Sequence, residues 1–461
     1  MYLCSQILAE IIMYTKPSIS RHTSMFFSLE DTLNPRHPLY QLANKIDWQR
    51  FEDAFSPLYC ADNGRPAKPI RLMVGLIILR HLRNISDESV VAQFQENAYY
   101  QYFCGFHDFS IEPPCTQPEL SHFRKRIGEE GARLILQESI RVNDDHEDES
   151  GGTVYIDSTV QEKNVTFPTD AKLLKKVVKH CMKISRKHSL PLRQTYTRIL
   201  KRVYLDQRFR TNPRNRRKAA RADRKLRTIA GRLVRELERN LADKQIAGYD
   251  GQLSIFYRVL SQRRDSKDKI YSLHEPEVEC ICKGKEHKKY EFGNKASIAR
   301  TEGGLIVGAV SFRKEHDSKT VDATLAQVER NTGRLPKQAA CDRGYRGIKE
   351  SMGVPILIPG TPKKSDSYYR RRKKHGLFCH RAAIEPTIGH VKADHRMERN
   401  YLKGVVGDAV NLMLSAAAFN FKRAMNDLLD FILSLPEWAN RWILCIKFNA
   451  YSTQTELIGA F

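Results

Sequence analysis

Three acidic residues, far apart in the chain, carry the first chemical signal. Asp157 interrupts TVYIDSTV, an alternating, β-branched run that reads as a strand with Tyr155, Asp157 and Thr159 on one face. A carboxylate on such a strand is costly to bury unless something pairs with it, and a cation does so. Asp342 lies in AACDRGYRG, where a short apolar strand gives way to a loop holding Gly344 and Gly347. Loops at strand ends are the usual place for catalytic groups on α/β sheets. Glu385 falls early in a segment read as helical from about Arg381 to Arg399. All three offer only hard oxygen ligands, a set that favours Mg²⁺ or Mn²⁺ over Zn²⁺.

The surroundings of Glu385 add cations. At ~100° per residue, Arg381, Glu385 and Lys392 fall within roughly 40° of one another on a helical wheel. One face would present a carboxylate between two cations, which suits a site that holds metal and phosphate together. Pro386 is tolerated only in a first helical turn. Either the helix starts near Ala382, with Arg381 at its lip, or it kinks. Taken singly, each feature is commonplace: a hydrogen-bonded strand Asp, a DRG loop, a surface Arg–Glu pair. Their occurrence in order within one α/β region is not.

The elements that must position these residues follow from periodicity. Residues 25–141 read as an all-helical domain, with Leu72, Leu76, Leu79 and Leu82 at helical spacing. Its last helix begins at a Thr116/Glu119 capping box, tolerates Pro118 in its first turn and stops at Gly128. Arg124, Lys125 and Arg126 form its basic end, compatible with DNA binding by a helix-turn-helix. The acidic, Gly-terminated stretch 142–152 reads as a linker. Residues 153–426 alternate strands and helices, an α/β domain with a helical basic insertion at about 165–285. A helical tail, 427–461, follows. Residues 1–24 read as a leader upstream of the natural start, because Met25 opens a more ordinary beginning.

Charge narrows the partner. The 461 residues carry a formal net charge of +24. Between Lys172 and Arg239 there are 24 Lys and Arg against 4 Asp and Glu, so most of the excess sits in one segment. In its second half Leu226, Ile229, Leu233, Leu237 and Leu241 keep helical spacing, leaving an Arg-studded outer face. Arg214, Arg216 and Arg217 are its candidate phosphate contacts; such contacts grip a nucleic-acid backbone without reading sequence. Ten scattered cysteines form no CxxC framework and read as reduced thiols; Cys280, Cys282 and His287 make at most half a zinc site. The apolar stretch 428–448 is broken by Pro436, Glu437 and Arg441, so it reads as amphipathic helix and not as a membrane span.

The chain resembles the bacterial DDE insertion-sequence transposases, of the insertion-sequence-five group. The resemblance rests on HPLYQLANKIDW, GRPAKPIRLMVGLIILRHL, CGFHDFSIEPPCTQPELSHFRKRIG, TVYIDSTVQEKN, YEFGNKASIA, CDRGYRG and IEPTIGHVKADHRMERNYLKG, running from about His37 to Asn426. The family's C-terminal signature is Tyr, Arg, Glu and Lys separated by two, three and six residues. Phe378, Arg381, Glu385 and Lys392 stand at those intervals, with phenylalanine replacing the tyrosine. The resemblance implies an RNase H-like fold for the catalytic domain, with Asp157, Asp342 and Glu385 as the catalytic and metal-binding residues. It implies phosphoryl transfer with two Mg²⁺ or Mn²⁺ ions about 3.5–4 Å apart, and Arg381 and Lys392 on DNA phosphates. It further implies double-stranded DNA as partner, both terminal inverted repeats and target, together with a homodimer and a cytoplasmic, nucleoid-associated location. Two alternatives share these residues: a nuclease that cuts without joining, and an inactive DNA-binding remnant.

Overall fold

The structure, a computed structural model, describes residues 12–13, 28–60, 65–143, 152–263, 265–282, 289–358 and 365–434. Two compact units emerge. The first takes in residues 1–161, 295–400 and 405–461; the second takes in 162–294 and 401–404.

In the first unit, helices α1 (Leu29–Thr32), α2 (Pro38–Lys45), α3 (Trp48–Phe55), α4 (Ile70–Leu82), α5 (Asp87–Glu96), α6 (Ala98–Phe103) and α7 (Gln117–Arg141) precede the sheet. Helix α4 is mostly apolar and buried along nearly all of its length, and α3, α5 and α7 pack against it. Helix α7 starts at the expected capping box, with the Thr116 N–H donating to Glu119 Oε2 at 2.7 Å. Gly128, at φ +57°, breaks its regular backbone midway, and the chain then resumes as helix to Arg141. A two-residue strand β1 (Ile12–Met13) pairs in parallel with β2 (Arg65–Pro66); the rest of the expected leader lies outside the described residues.

The sheet of this unit runs β6 (Ile306–Phe312), β5 (Tyr290–Thr301), β3 (Thr153–Lys163), β7 (Gln338–Cys341), β9 (Val354–Leu357) and β8 (Glu350–Ser351), with β10 (Arg399–Asn400) also against β3. β3, β7 and β9 are parallel, whereas β5 and β6 form an antiparallel hairpin. Helices α12 (Val321–Thr332), α13 (Tyr368–Ala382), α14 (Ile384–Asp394) and α15 (Gly404–Ser434) complete it. The Gly404–Leu428 part of α15 is long and apolar enough to cross a membrane, yet most of its apolar stretch is buried within the protein, which marks a core helix.

Residues 25–141 do not form a compact unit of their own. Asn420 on α15 bonds both the N–H and the C=O of Ile306 on β6, at 3.0 and 2.8 Å, and donates to Ser139 Oγ on α7 at 3.1 Å. These buried amide bonds satisfy a sheet edge and tie the N-terminal helices to it. Most of the expected linker lies outside the described residues.

The second unit is mainly helical: α8 (Asp170–Lys187), α9 (Thr197–Asp206), α10 (Pro213–Asp243) and α11 (Asp250–Ser261) enclose a core that includes Val177, Val178, Leu226, Leu233, Leu237 and Phe256. A short strand, β4 (Glu279–Cys282), pairs with the start of β5. The basic segment, Lys172–Arg239, is spread over α8, α9 and α10, with its second half on α10. The leucines of α10 face the core, and Arg214, Arg216 and Arg217 are exposed. Cys280 and Cys282 are free thiols on β4, and His287 lies outside the described residues.

One expected DNA contact is corrected here. Arg124 is buried, and its guanidinium donates to Asp87 at 2.7 Å beside Arg80, which pairs with the same carboxylate. Two buried guanidiniums on one carboxylate hold α4, α5 and α7 together and leave nothing for DNA. Lys125 is exposed, and the Arg126 guanidinium lies 4.3 Å from the centre of the Tyr59 ring. Removing a partner from a buried ion pair typically costs about 3–5 kcal/mol. Asp87→Ala is therefore expected to lower stability by about that amount in urea unfolding; a loss below about 1 kcal/mol would refute the structural role.

Candidate active site

The geometry starts with strand register. β3 and β7 pair in parallel as Thr153↔Gln338, Val154↔Ala339, Tyr155↔Ala340 and Ile156↔Cys341. The next residue on each strand is a candidate catalytic aspartate, Asp157 on one and Asp342 on the other. Neighbouring strands lie about 4.8 Å apart, so the pairing sets the two carboxyl-bearing residues side by side where β7 ends.

Each aspartate is held locally. Asp157 is half-buried and accepts from the Ser158 N–H at 2.8 Å. Asp342 caps the short turn Arg343–Tyr345, accepting from the Gly344 N–H at 2.8 Å. A Cβ at Gly344 would sit 3.0 Å from the Asp342 carboxylate oxygen, so glycine keeps that oxygen clear. The Tyr345 ring is fully buried.

Burial, with the negative charges of Asp342 and Glu385 behind it, pushes the Asp157 carboxyl up to about 6. The Ser158 N–H and the Arg381 charge act in the other direction. The same four charged groups thus share one electrostatic neighbourhood. Burial also pushes the Cys341 thiol up to about 12, so it stays protonated beside the aspartates.

Glu385 is the second residue of α14, and Pro386 sits in that helix's first turn, where it is tolerated. Arg381 belongs to the last turn of α13, and the two helices part at Ala383. The single helical face expected from the wheel is therefore divided between two helices. The pair still meets, with Arg381 Nη2 3.6 Å from Glu385 Oε1; Glu385 is 66% exposed and Arg381 15%. Lys392 lies two turns further along α14, half-buried. Among the described residues, no three His, Cys, Asp or Glu side chains converge closely enough to enclose a metal ion as they stand.

The far end of α14 is anchored in the N-terminal helices. Asn84 donates to the Ala393 carbonyl at 2.8 Å, and His395 Nδ1 lies 3.1 Å from the His81 carbonyl. Burial lowers the His395 imidazole to about 4, so the ring is neutral and Nδ1 carries its proton toward that carbonyl. His390 pairs with Asp394 at 3.1 Å, and the His380 ring stacks near Tyr155. Sequence reasoning missed one pair here. Lys295 on β5 bonds Asp317 at 3.0 Å, and the second Asp317 oxygen lies 3.6 Å from the position a Cβ on Gly344 would take. No local spacing signals that approach.

Residues 27–126 match a family model described as a transposase domain (DUF772), and residues 274–421 match one described as a transposase DDE domain. The chain belongs to the DDE transposases. An uncharacterized protein of Rhizobium meliloti, ORF8 in the nfe locus, is 39% identical over 192 residues, covering 41% of this chain and 92% of the relative. No solved structure matches. The DDE match contains Asp342 and Glu385, while Asp157 precedes it, on the far side of the helical insertion. DDE transposases act in DNA transposition and generally use divalent metals.

The residues of this transposase suit such an ion. The donor set is all carboxylate oxygen, and Asp157 is held protonated well above the ordinary range by burial and by like charges. In metal-free protein the folded chain keeps a proton that the unfolded chain releases, so stability falls as pH rises from about 4 to 6. Asp157→Asn is expected to remove that decline. The thermal midpoint of the variant should exceed wild type at pH 7 and match it near pH 4, measured in chelator. Equal midpoints at pH 7 would mean that Asp157 carries no such penalty.

Proposed function

We propose that this transposase catalyses divalent-metal-dependent cleavage at the ends of an insertion sequence and joins those ends to target DNA. The observation that carries the reading is the register placing Asp157 beside Asp342 at the end of β7, with Arg381 and Glu385 in the same electrostatic neighbourhood. The strand order β6-β5-β3-β7-β9, with the hairpin on one side of β3 and parallel strands on the other, supports an RNase H-like catalytic fold.

Asp157, Asp342 and Glu385 would hold the metal, two Mg²⁺ or Mn²⁺ ions. When bound, the pair supplies Lewis-acid activation of the attacking oxygen and charge neutralisation at the leaving oxygen. The protein's own groups do the rest. The Asp157 carboxylate, whose ionisation burial disfavours, would be stabilised by the added positive charge. Asp342 is pre-oriented by the Gly344 N–H. Glu385 would complete the set from the first turn of α14, and Arg381, now 3.6 Å from it, would be available to a DNA phosphate once Glu385 held metal. Lys392 contributes a second cation along the same helix.

Helix α10 supplies sequence-independent grip. Arg214, Lys218, Arg221, Lys225, Arg232 and Arg239 fall within about 40° of one line along it at ~100° per residue, and all are exposed. Recognition of the inverted repeats is assigned to the N-terminal helices, with Lys125 and Arg126 as contacts. Two element ends call for a homodimer, and the substrate places the protein at the nucleoid. The motifs of the sequence support placing it in the insertion-sequence-five group.

Asp157→Ala, Asp342→Ala and Glu385→Ala are each expected to reduce Mg²⁺-dependent cleavage of an end-bearing duplex to background while DNA affinity survives; full cleavage by any one removes that residue from the mechanism. Wild-type protein given pre-cut ends should join them to target DNA, and cutting without joining would leave a nuclease. Neutralising Arg214, Arg216, Arg217 and Lys218 together should reduce the slope of log affinity against log salt by about 3. An unchanged slope would mean that the first turns of α10 stay in solvent.

A further inference from the structure

The second unit contains a groove that duplex binding leaves unexplained. Helices α8 and α9 flank an open hollow of about 380 Å³. Val178, Met182, Leu200 and Tyr204 give it an apolar lining. Lys179, Lys183 and Arg186 stand along it from α8, and Lys201 from α9, all exposed. Among the described residues, no acidic side chain lines it. The Lys175 ammonium sits 4.2 Å from the centre of the Tyr204 ring. A second hollow of about 230 Å³ shares Lys183 and is lined by the rings of His180 and Tyr249. Two ring-bearing hollows therefore adjoin across one lysine, within a field of cations.

An occupant must bring negative charge for both rims and flat, weakly polar surface for the hollows. Duplex DNA offers the charge, but its bases are stacked inside and cannot enter. Unpaired nucleotides offer both at a regular repeat: a base that stacks on aromatic and apolar side chains, and a phosphate between each base and the next. We propose that the α8–α9 groove binds single-stranded DNA, with bases in the hollows and phosphates against Lys179, Lys183, Arg186 and Lys201. The proposal rests on the reading above only in taking DNA as the substrate; it gives the insertion a hold on nucleotides unpaired during cutting and joining.

The test is fluorescence anisotropy of the full chain in chelator, so that it is independent of catalysis. The ligands are a dye-labelled 12-nucleotide thymidine strand, an abasic strand with the same number of phosphates, and a duplex. The thymidine strand is expected to bind at least about tenfold tighter than the abasic one, since each stacked base contributes on that scale. Tyr204→Ala should markedly reduce that preference and leave duplex affinity unchanged, Tyr204→Phe should keep it, and Lys183→Gln should weaken both single strands. Equal binding of thymidine and abasic strands would overturn the proposal. So would a base preference that Tyr204→Ala leaves intact, or a Tyr204-dependent preference for polyglutamate or anionic vesicles over the thymidine strand. Failure of the metal-site variants to lose cleavage would leave this result standing, and the converse also holds.

Discussion

Two carboxylates on adjacent parallel strands repel each other, and one of them is half-buried. That repulsion is the constraint on which the rest of this protein depends. Register alone sets Asp157 beside Asp342, because β3 and β7 pair up to Ile156 and Cys341 and release their next residues together. The sheet holds that register through burial on both faces of β3, where a slip of one residue would turn Asp157 to the opposite face. Burial first, and the neighbouring negative charges after it, raise the carboxyl of Asp157 to about 6. A fold that keeps such a group beside a second acid is built to receive positive charge.

The remaining elements present the other charges to that point. Helix α14 brings Glu385 in its first turn, and its far end is pinned by Asn84 and by the neutral His395. The N-terminal helices are in turn locked by the buried pairing of Arg80 and Arg124 with Asp87. A continuous set of contacts therefore joins the region expected to read DNA to the helix that carries Glu385. The second unit has a different electrostatic character, with a cationic face along α10 and an apolar, cation-rimmed groove between α8 and α9.

Much of this was legible in the sequence, for local reasons. The alternation of TVYIDSTV, the glycines after Asp342 and the capping box at Thr116 each report on backbone within a few residues of themselves. The spacing of the leucines in α10 likewise revealed which side faces the core. What escaped was non-local. Arg124 looked like one of three solvent-facing cations, but consecutive residues on a helix point about 100° apart, so one of three readily turns inward. Its partner Asp87 lies 37 positions upstream. The break at Ala383 was foreshadowed by Pro386, yet its consequence, two helices sharing one Arg–Glu pair, needed coordinates. The approach of Lys295 and Asp317 to the Asp342 turn, and the adjoining hollows of the second unit, depend on packing between elements and leave no periodic trace.

The most direct measurement is anomalous diffraction from crystals of the full chain bound to cleaved end DNA in Mn²⁺. The account predicts manganese peaks coordinated by carboxylate oxygens of Asp157 and Asp342, with Glu385 turned from Arg381 to complete the shell. Manganese bound elsewhere, with Asp157 and Asp342 engaged only by protein groups and Glu385 still paired with Arg381, would contradict it.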